Sequence, residues 1–400
     1  MVASRPNIDV RAETPFVAVD DQAVRCVVMR GGTSRGLFFH EQDLPYNPTA
    51  RDKVIMGAVG APDPRHVDGL GGGDMLLSKV AIIGRSDKPG IDLECEFANI
   101  TPGKQRPTYG TNCGNLVAAA ALFALEQGLV TAGAEPPTLR ILNRNASGII
   151  KARVSRSDSA CREEHSLAGM PESGACVDLD FLEPVGAYQE QLLPTGNPRD
   201  TLELEGLGTI DVSVVDAGAL YVFVRDRDLG IQAAAALRQK DKGSATLRQI
   251  EEIRAIVARK LGIVGAADDA VAVSPDVPKV AIVGSPISYQ CDNSSKHIEA
   301  DAIDLVARII SSQNYHKAYA VTGAIATAVA SAVAGSVVQR TAGSSAEGGT
   351  HKLRIGHPGG VLACQVASCI VNGRQEIAFA RIRRTARRVS QGSVFVPASI

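Results

Sequence analysis

The sequence predicts an α+β fold of two similar lobes, each a curved, mainly antiparallel sheet or barrel around a central Ala-rich helix. Strand-like segments and an Ala-rich run occur in the first half of the chain and recur in the same order in the second half. The chain of 400 residues is also too long for one ordinary hydrophobic core. We therefore expect two lobes, residues 1–200 and 201–400.

The first half contains strand-like segments separated by glycine-rich loops. Residues 1–24 form a loose lead-in to them. Apolar and β-branched residues predict strands over 24–29, 37–39, 79–84, 93–98, 138–142 and 148–154.

The first Ala-rich run predicts a buried helix over residues 117–127. Asn112 is a good N-cap, and Gly128 is typical of a helix end. Cys113 would then face unpaired N–H groups at the positive end of the helix dipole, which lowers a thiol pKa and favours anion binding. The alternative is that Cys113 is simply a small buried residue.

Four segments of the first half have counterparts in the second, and their collinear order indicates a duplication. Residues 194–198, rich in Pro and Gly, predict the linker between the lobes. The matched pairs are 38–44 with 223–229, 79–84 with 279–284, Cys113-Gly114 with Thr322-Gly323, and 147–154 with 359–366.

Two further runs predict helices in the second half. Residues 245–261 have apolar residues at helical spacing, which is typical of an amphipathic surface helix. Residues 319–338 are apolar all round, which favours the centre of a domain over a membrane span because Ala contributes little to insertion.

Composition excludes several classes of function. The net charge of −1, with mixed signs, argues against a nucleic-acid or membrane-surface protein. The eight cysteines form no CxxC pair, so we expect reduced thiols and a cytoplasmic location, with no metal and no cofactor. Five arginines in residues 381–388 are most simply a solvated helix face. The exposed edges of curved sheets favour a homodimer.

Lys79 is a candidate general base because it lies in an apolar strand just after a Gly-rich loop. A desolvated lysine near the positive end of a helix binds its proton less tightly. The alternative is an edge residue in solvent. Lys279 holds the matching place in the second lobe.

The loop of residues 30–36 is a candidate anion site. It offers glycine-exposed amides, two hydroxyls and two guanidinium groups, which suit a carboxylate or phosphate. It lacks the Gly-Lys-Ser/Thr ending of a nucleotide P-loop, and residues 69–74 lack the dinucleotide fingerprint. Either loop could instead be an ordinary turn.

His357 lies in a Gly-His-Pro-Gly-Gly turn at residues 356–360. It could donate a hydrogen bond to a carboxylate or act as an acid. The alternative is an exposed histidine without a role.

Six motifs together resemble the methylaconitate cis-trans isomerase family, which includes methylitaconate, oxalomesaconate and aconitate isomerases. The resemblance runs from about residue 24 to the end. It implies a fold similar to that of diaminopimelate epimerase, with the site between the lobes. The motifs are 29–36 (MRGGTSRG), 77–82 (LSKVAI), 112–115 (NCGN), 318–323 (AYAVTG), 356–358 (GHP) and 384–388 (RTARR).

The resemblance implies a cofactor-independent isomerase of unsaturated di- or tricarboxylic acids such as 2-methylaconitate or aconitate. Proton abstraction would lead to an allylic double-bond shift or to cis–trans isomerisation. Lys79 would be the principal base, and Cys113 a second acid/base or a positioning group. The implied substrate-binding residues are Arg30, Gly31, Gly32, Thr33, Ser34, Asn112, Gly114, Asn115, Thr322, His357, Gly359 and Gly360.

Two departures from the family pattern bear on the chemistry. Thr322 stands opposite Cys113 where the epimerase pattern has a second thiol, which favours a lysine-based 1,3-proton shift. Gly359 stands where the family often has Ser after the His-Pro. The alternatives are a 4-oxalomesaconate-type keto–enol tautomerase, a non-catalytic carboxylate-binding protein and an amino-acid epimerase.

Overall fold

The strands of the first half follow the sequence pattern closely. The computed structural model describes residues 21–109, 113–131, 133, 135–145, 148–156, 174–231, 245–266, 269–292, 295–311, 314–345, 347–372 and 374–397. The first-half strands are β1 Asp21–Gly31, β2 Ser34–His40, β3 Lys79–Arg85, β4 Leu93–Asn99, β5 Thr138–Asn143, β6 Gly148–Ser155 and β7 Ala175–Leu182.

The second half supplies eleven further strands, and the last of them is much the longest. They are β8 Asp200–Leu204, β9 Gly208–Asp216, β10 Leu220–Arg225, β11 Lys279–Gly284, β12 Tyr289–Gln290, β13 His297–Ile298, β14 Leu305–Ser311, β15 Asn314–Tyr315, β16 Gly349–His357, β17 Gly360–Val371 and β18 Arg374–Pro397.

Helices are few and have two kinds of environment. The α-helices are α1 Pro48–Val59, α2 Gly114–Glu126, α3 Ala245–Lys260, α4 Ala270–Val273, α5 Val321–Ala332 and α6 Val337–Ala342. Short 3-10 helices cover Glu41–Asp43, Asp226–Leu229 and Ala300–Ala302. The predicted amphipathic helix is α3, and the apolar run after residue 319 forms α5 and α6, so both predictions are confirmed.

Strand pairing repeats between the halves. Within β1 to β7, successive neighbours pair antiparallel, parallel, antiparallel, parallel, antiparallel and antiparallel. The series β9, β10, β11, β14, β16, β17 and β18 pairs in the same sequence of directions. In each series an Ala-rich helix connects the fourth strand to the fifth, α2 in one and α5 in the other. The predicted duplication is confirmed.

The two series form one mixed, mainly antiparallel sheet of 16 strands. β18 joins them, because it pairs with β17, then with β7, and along its C-terminal part with β1. The contact with β1 closes the first series into a ring around α2. The predicted architecture of curved sheets around Ala-rich helices is confirmed.

The central helices pack inside this sheet, whereas α1 and α3 cover its outside. Small side chains let strands approach α2 and α5 from all sides, and one continuous hydrophobic core contains both helices. Separate clusters lie under α1 and under α3. No helix among the described residues is long and apolar enough to cross a membrane.

Two expectations are wrong. The arginine-rich run 381–388 is part of β18 rather than a solvated helix face, and Ile382, Arg384 and Ala386 of this run alternate inward and are buried. The thiols are not all reduced, because Cys176 is disulfide-bonded although six other cysteines are free.

The two central helices meet at a glycine, and we expect this contact to limit what residue 114 can be. A Cβ on Gly114 would lie 2.3 Å from Cγ1 of Val321, the first residue of α5. Gly114→Ala should therefore lower the free energy of unfolding by about 1–3 kcal/mol, measured by urea denaturation. Gly392→Ala, where nothing lies within 4 Å of an added Cβ, is the matched control. Equal urea midpoints for the two variants would contradict the contact.

Candidate active site

The site lies where the N-termini of α2 and α5 meet. Cys113 is the N-cap of α2 and is buried. Thr322 is the second residue of α5, is also buried, and its Oγ1 lies 3.3 Å from the hydroxyl of Tyr221. Because the first N–H groups of a helix have no partner within it, two groups of donors converge here.

Lys79 and Lys279 flank this meeting point. Lys79 is the first residue of β3 and lies in the row that faces α2, together with Ala81. Its Nζ donates to Oδ1 of Asn99 at 3.1 Å. β3 pairs with β2 on one side and with β4 on the other, so Lys79 is partly buried in the middle of the sheet and not at an edge. Lys279 is the first residue of β11 and lies in the row that faces α5. Burial lowers the pKa of Lys279, and the nearby positive charge of Lys79 acts in the same direction, against the opposing effect of Asp276.

The loop that follows β1 packs directly onto the first turn of α2. A Cβ on Gly31 would lie 2.1 Å from the carbonyl oxygen of Asn115, and one on Gly32 would lie 2.3 Å from Oδ1 of the same residue. Asn115 Nδ2 in turn donates to Oγ1 of Thr33 at 3.0 Å and to Oγ of Ser34 at 3.3 Å. The two glycines thus permit a close approach that sets both hydroxyls beside the helix N-terminus.

Arg30 fixes this loop to β18. Its buried guanidinium donates through one nitrogen to the carbonyl of Gly32 at 3.1 Å, and to the carbonyl and hydroxyl oxygens of Thr385 at 3.2 and 3.0 Å. Arg30 therefore adds positive charge at the site while part of its hydrogen-bonding capacity holds the loop in place.

Arg384 is the site residue that the sequence analysis missed. Its side chain is 4% exposed, its Nε donates to Oδ1 of Asn115 at 3.2 Å, and another nitrogen donates to the carbonyl of Arg383 at 2.9 Å. Burial lowers its pKa to about 10, so it stays positively charged at neutral pH. The sequence did contain a signal for its position. Ile382 and Ala386 lie two residues to either side of Arg384, so in a strand all three side chains face the core.

His357 is buried rather than exposed, so the expectation of an exposed turn histidine is wrong. The N–H of Gly359 donates to its Nδ1 at 3.1 Å, which leaves the proton of the neutral ring on Nε2. Nε2 has no hydrogen-bond partner among the described residues. Burial and the charge of Arg384 lower the pKa of His357 to about 3, so the ring is a neutral N–H donor at neutral pH. The following turn is held by the hydroxyl of Tyr289, which donates to the carbonyls of His357 and Gly360 at 2.9 and 2.6 Å.

A second histidine, His316, lies near both lysines and was also missed. Its Nδ1 accepts from the N–H of Ala318 at 3.1 Å. Burial lowers its pKa to about 4, and the charges of Lys79 and Lys279 act in the same direction. No spacing rule pointed to His316, because its position depends on how the two series of strands come together.

The assembled site is positive. It contains the guanidinium groups of Arg30 and Arg384 with the amino groups of Lys79 and Lys279 beside them, while the carboxylate of Asp74 at its edge is paired with Lys317 at 2.5 Å. Asn112 lies outside the described residues. Such a set of cations, amide donors and neutral N–H groups favours a ligand with more than one negative charge.

The sequence has clear relatives. It matches the family model described as PrpF protein over residues 21–397. It is 36% identical over 370 residues to the putative isomerase YraM of Bacillus subtilis, covering 92% of this chain and 96% of that protein. It is 36% identical over 380 residues to 3-methylitaconate isomerase of Eubacterium barkeri, covering 94% of this chain and 98% of that protein. It is 33% identical over 389 residues to 2-methyl-aconitate isomerase of Shewanella oneidensis, covering 94% of this chain and 97% of that protein.

Solved structures agree with these relatives. The crystal structure of a methylitaconate-delta-isomerase superposes with a TM-score of 0.76 at 35% identity, covering 95% of this chain and 97% of that one. A hydroxyproline epimerase from Agrobacterium vitis superposes with a TM-score of 0.51 at 14% identity, covering 94% and 93%. The second likeness concerns the fold alone, and it confirms the epimerase-like class predicted from the sequence.

Burial of a neutral His357 makes stability depend on pH. In the unfolded chain the ring takes up a proton below about pH 6.5, whereas in the folded protein its pKa is about 3, so the unfolded state binds more protons between these values. Stability should fall by up to about 1.4 kcal/mol per pH unit as pH drops below 6.5. In His357→Asn, the free energy of unfolding measured with urea should change less steeply with pH, by up to this amount.

His297→Asn is the matched control, since His297 is exposed at β13. His297→Asn should keep the wild-type dependence of stability on pH. The same dependence in His357→Asn would refute the buried neutral state of His357.

Proposed function

This chain belongs to the PrpF protein family, and from that premise we propose that it is a cofactor-independent isomerase of unsaturated di- or tricarboxylic acids. It moves a double bond, or changes its geometry, by removing and returning a proton. The observation that carries the proposal is the cluster of cationic groups at two helix N-termini, where Lys79 and Cys113 both act electrostatically on Lys279. The names of the relatives support an acid such as 2-methylaconitate, aconitate or 3-methylitaconate as substrate.

Carboxylate binding is the first role of the site. The hydroxyls of Thr33 and Ser34, held by Asn115, offer hydrogen bonds to one carboxylate at the start of α2. Arg384 supplies charge to the same region, and Arg30 fixes the loop. His357 offers its Nε2–H to a second carboxylate. The remaining proposed substrate contacts are the backbone of Gly31, Gly32, Gly114, Gly359 and Gly360, with the side chains of Asn112 and Thr322.

Proton transfer is the second role. Neutral Lys79 removes a proton from the carbon next to the carboxylate-bearing double bond, which leaves a dienolate whose charge spreads onto the carboxylate oxygens. The N–H groups at the start of α2 and the guanidinium of Arg384 stabilise that charge, and one such donor is typically worth about 10²–10³-fold in rate. Cys113, at the N-cap of α2, is the second acid/base or positions the substrate.

The position of reprotonation decides the product. Return of the proton to the far end of the three-carbon unit shifts the double bond. Rotation in the dienolate, followed by return to the original carbon, gives cis–trans isomerisation. Thr322 in place of a second thiol favours the lysine-based shift over a two-thiol epimerase.

We retain two further predictions as proposals. Six free cysteines support a cytoplasmic location, whereas the disulfide bond of Cys176 counts against it. The open edge of β8, which pairs only with β9 among the described strands, supports a homodimer, and light scattering of the protein in solution tests it.

Proton NMR in D₂O tests the reaction class together with the role of Lys79. Wild-type protein should introduce deuterium into at least one of cis-aconitate, trans-aconitate, 2-methylaconitate and 3-methylitaconate while its double bond moves. Lys79→Met should lower this exchange by at least about 10²-fold, because the base is lost. Lys53→Met, the same change on an exposed helical position, is the control.

Three results would point elsewhere. Exchange confined to 4-oxalomesaconate would favour the tautomerase, and exchange at Cα of diaminopimelate the epimerase. Binding of these acids without any exchange would favour the carboxylate-binding protein.

Arg384→Met tests the carboxylate site separately from proton transfer. Loss of a hydrogen bond to a charged partner costs about 1.5–3 kcal/mol, so KM should rise about 10- to 150-fold for the preferred acid. Its neighbour Arg383 points outward to Asp178, and a surface ion pair is worth little. Arg383→Met should therefore leave KM nearly unchanged. Equal KM values for the two variants would remove Arg384 from substrate binding.

A further inference from the structure

Lys279 occupies the same place in the second series of strands as Lys79 does in the first. Each lysine begins the third strand of its series, and each of these strands pairs in parallel with the strand before it. Lys79 precedes Ala81 and Ile83 in the row facing α2, and Lys279 precedes Ala281 and Val283 in the row facing α5. Because the N-termini of the two helices touch, both lysines reach toward one space from opposite lobes.

The surroundings of the two lysines differ. Lys79 donates to Asn99, whereas Lys279 has no hydrogen-bond acceptor and no ion-pair carboxylate within 4.0 Å in the part of the chain that the structure describes. Asp276 acts on Lys279 only through its charge, as do Lys79 and Cys113. A structural lysine at a partly buried position would be expected to have a partner, because burying an unpaired ammonium is costly. A lysine without one is suited to a proton-transfer role.

We propose that Lys279 is a second catalytic residue, which exchanges a proton with the end of the substrate's three-carbon unit opposite to the end served by Lys79. This inference rests on the proposed function. It assigns one carbon to each lobe: the first lobe serves one end through Lys79, and the second lobe serves the other end through Lys279.

The step balances without any further reactant. Neutral Lys79 takes a proton from one terminal carbon as its C–H bond breaks, and the electron pair enters the dienolate. The ammonium of Lys279 then gives a proton to the other terminal carbon as a new C–H bond forms. Lys79 is left protonated and Lys279 neutral, and proton exchange with solvent restores the starting state. The reverse reaction uses the same groups with their roles exchanged.

The lowered pKa of Lys279 supports this role. Burial and the charge of Lys79 both favour the neutral form of the Lys279 amine. The charge of Lys79 acts on Lys279, so the two ammonium groups resist being charged together. The lowered pKa of Lys279 favours neutral Lys279 beside protonated Lys79, which is the state from which the reverse reaction starts.

The experiment separates proton exchange from isomerisation, with 2-methylaconitate and 3-methylitaconate in D₂O followed by proton NMR. Lys279→Met should lower isomerisation by at least about 10²-fold, because the second proton transfer is lost. Deuterium should still enter the carbon served by Lys79, at a rate within about tenfold of wild type, because that exchange needs only one base. Lys53→Met should behave as wild type.

Lys279→Arg distinguishes proton transfer from simple charge, since arginine keeps the charge but does not release its proton. It should isomerise as poorly as Lys279→Met. Isomerisation restored in Lys279→Arg, or exchange and isomerisation lost together in a folded Lys279→Met, would overturn the proposal. Circular dichroism establishes that each variant is folded. A wild-type protein that exchanges no proton in 2-methylaconitate, 3-methylitaconate, cis-aconitate or trans-aconitate would instead refute the proposed function itself.

Discussion

The contact between the first turns of α2 and α5 is the constraint on which the site depends. Gly114 allows Val321 to approach so closely that the unpaired N–H groups of both helices converge. The sheet has to curve around both helices to permit this. Because alanine side chains are small, the strands can curve around the helices and still pack closely against them. The small residues of the core thus allow the two helix N-termini, with their positive partial charges, to lie close together.

A positive centre inside a protein needs support, and β18 provides much of it. This strand pairs with β17, β7 and β1, and it carries both Arg384 and the acceptor atoms of Thr385 that hold Arg30. His357 and His316 remain neutral because burial disfavours the charged ring, and because Arg384 and the lysines repel a further positive charge. The histidines therefore add donors to the site without adding charge, and the substrate carboxylates are left to balance the cations.

Local patterns in the sequence predicted the strands, the central helices and the duplication, because each of these depends on alternation, helical spacing or order along the chain. Lys79, Cys113 and the loop of Gly31 to Ser34 could also be predicted from the sequence, since each lies in a motif with local chemical meaning. Arg384 and His316 could not be predicted in this way. Arg384 was hidden because five arginines within residues 381–388 suggested a solvated helix, whereas the partner strands decide which of them turns inward. His316 acquires its role only when the lobes meet, and no local pattern records that contact.

The duplication makes the two sides of the site similar, and the differences between the two sides determine how the proposed substrate is oriented. In the first lobe the loop between β1 and β2 presents hydroxyls and glycine amides. The equivalent loop between β9 and β10 begins at Asp216, a buried acid whose Oδ2 accepts from the N–H groups of Tyr188 and Gln189 at 2.7 Å each, and whose pKa is raised by burial. An acid at that place gives the second loop no counterpart of the hydroxyls of Thr33 and Ser34. The lysines are thus alike in both series while the two loops are not. In the proposed site, this difference fixes which end of the substrate faces which lysine.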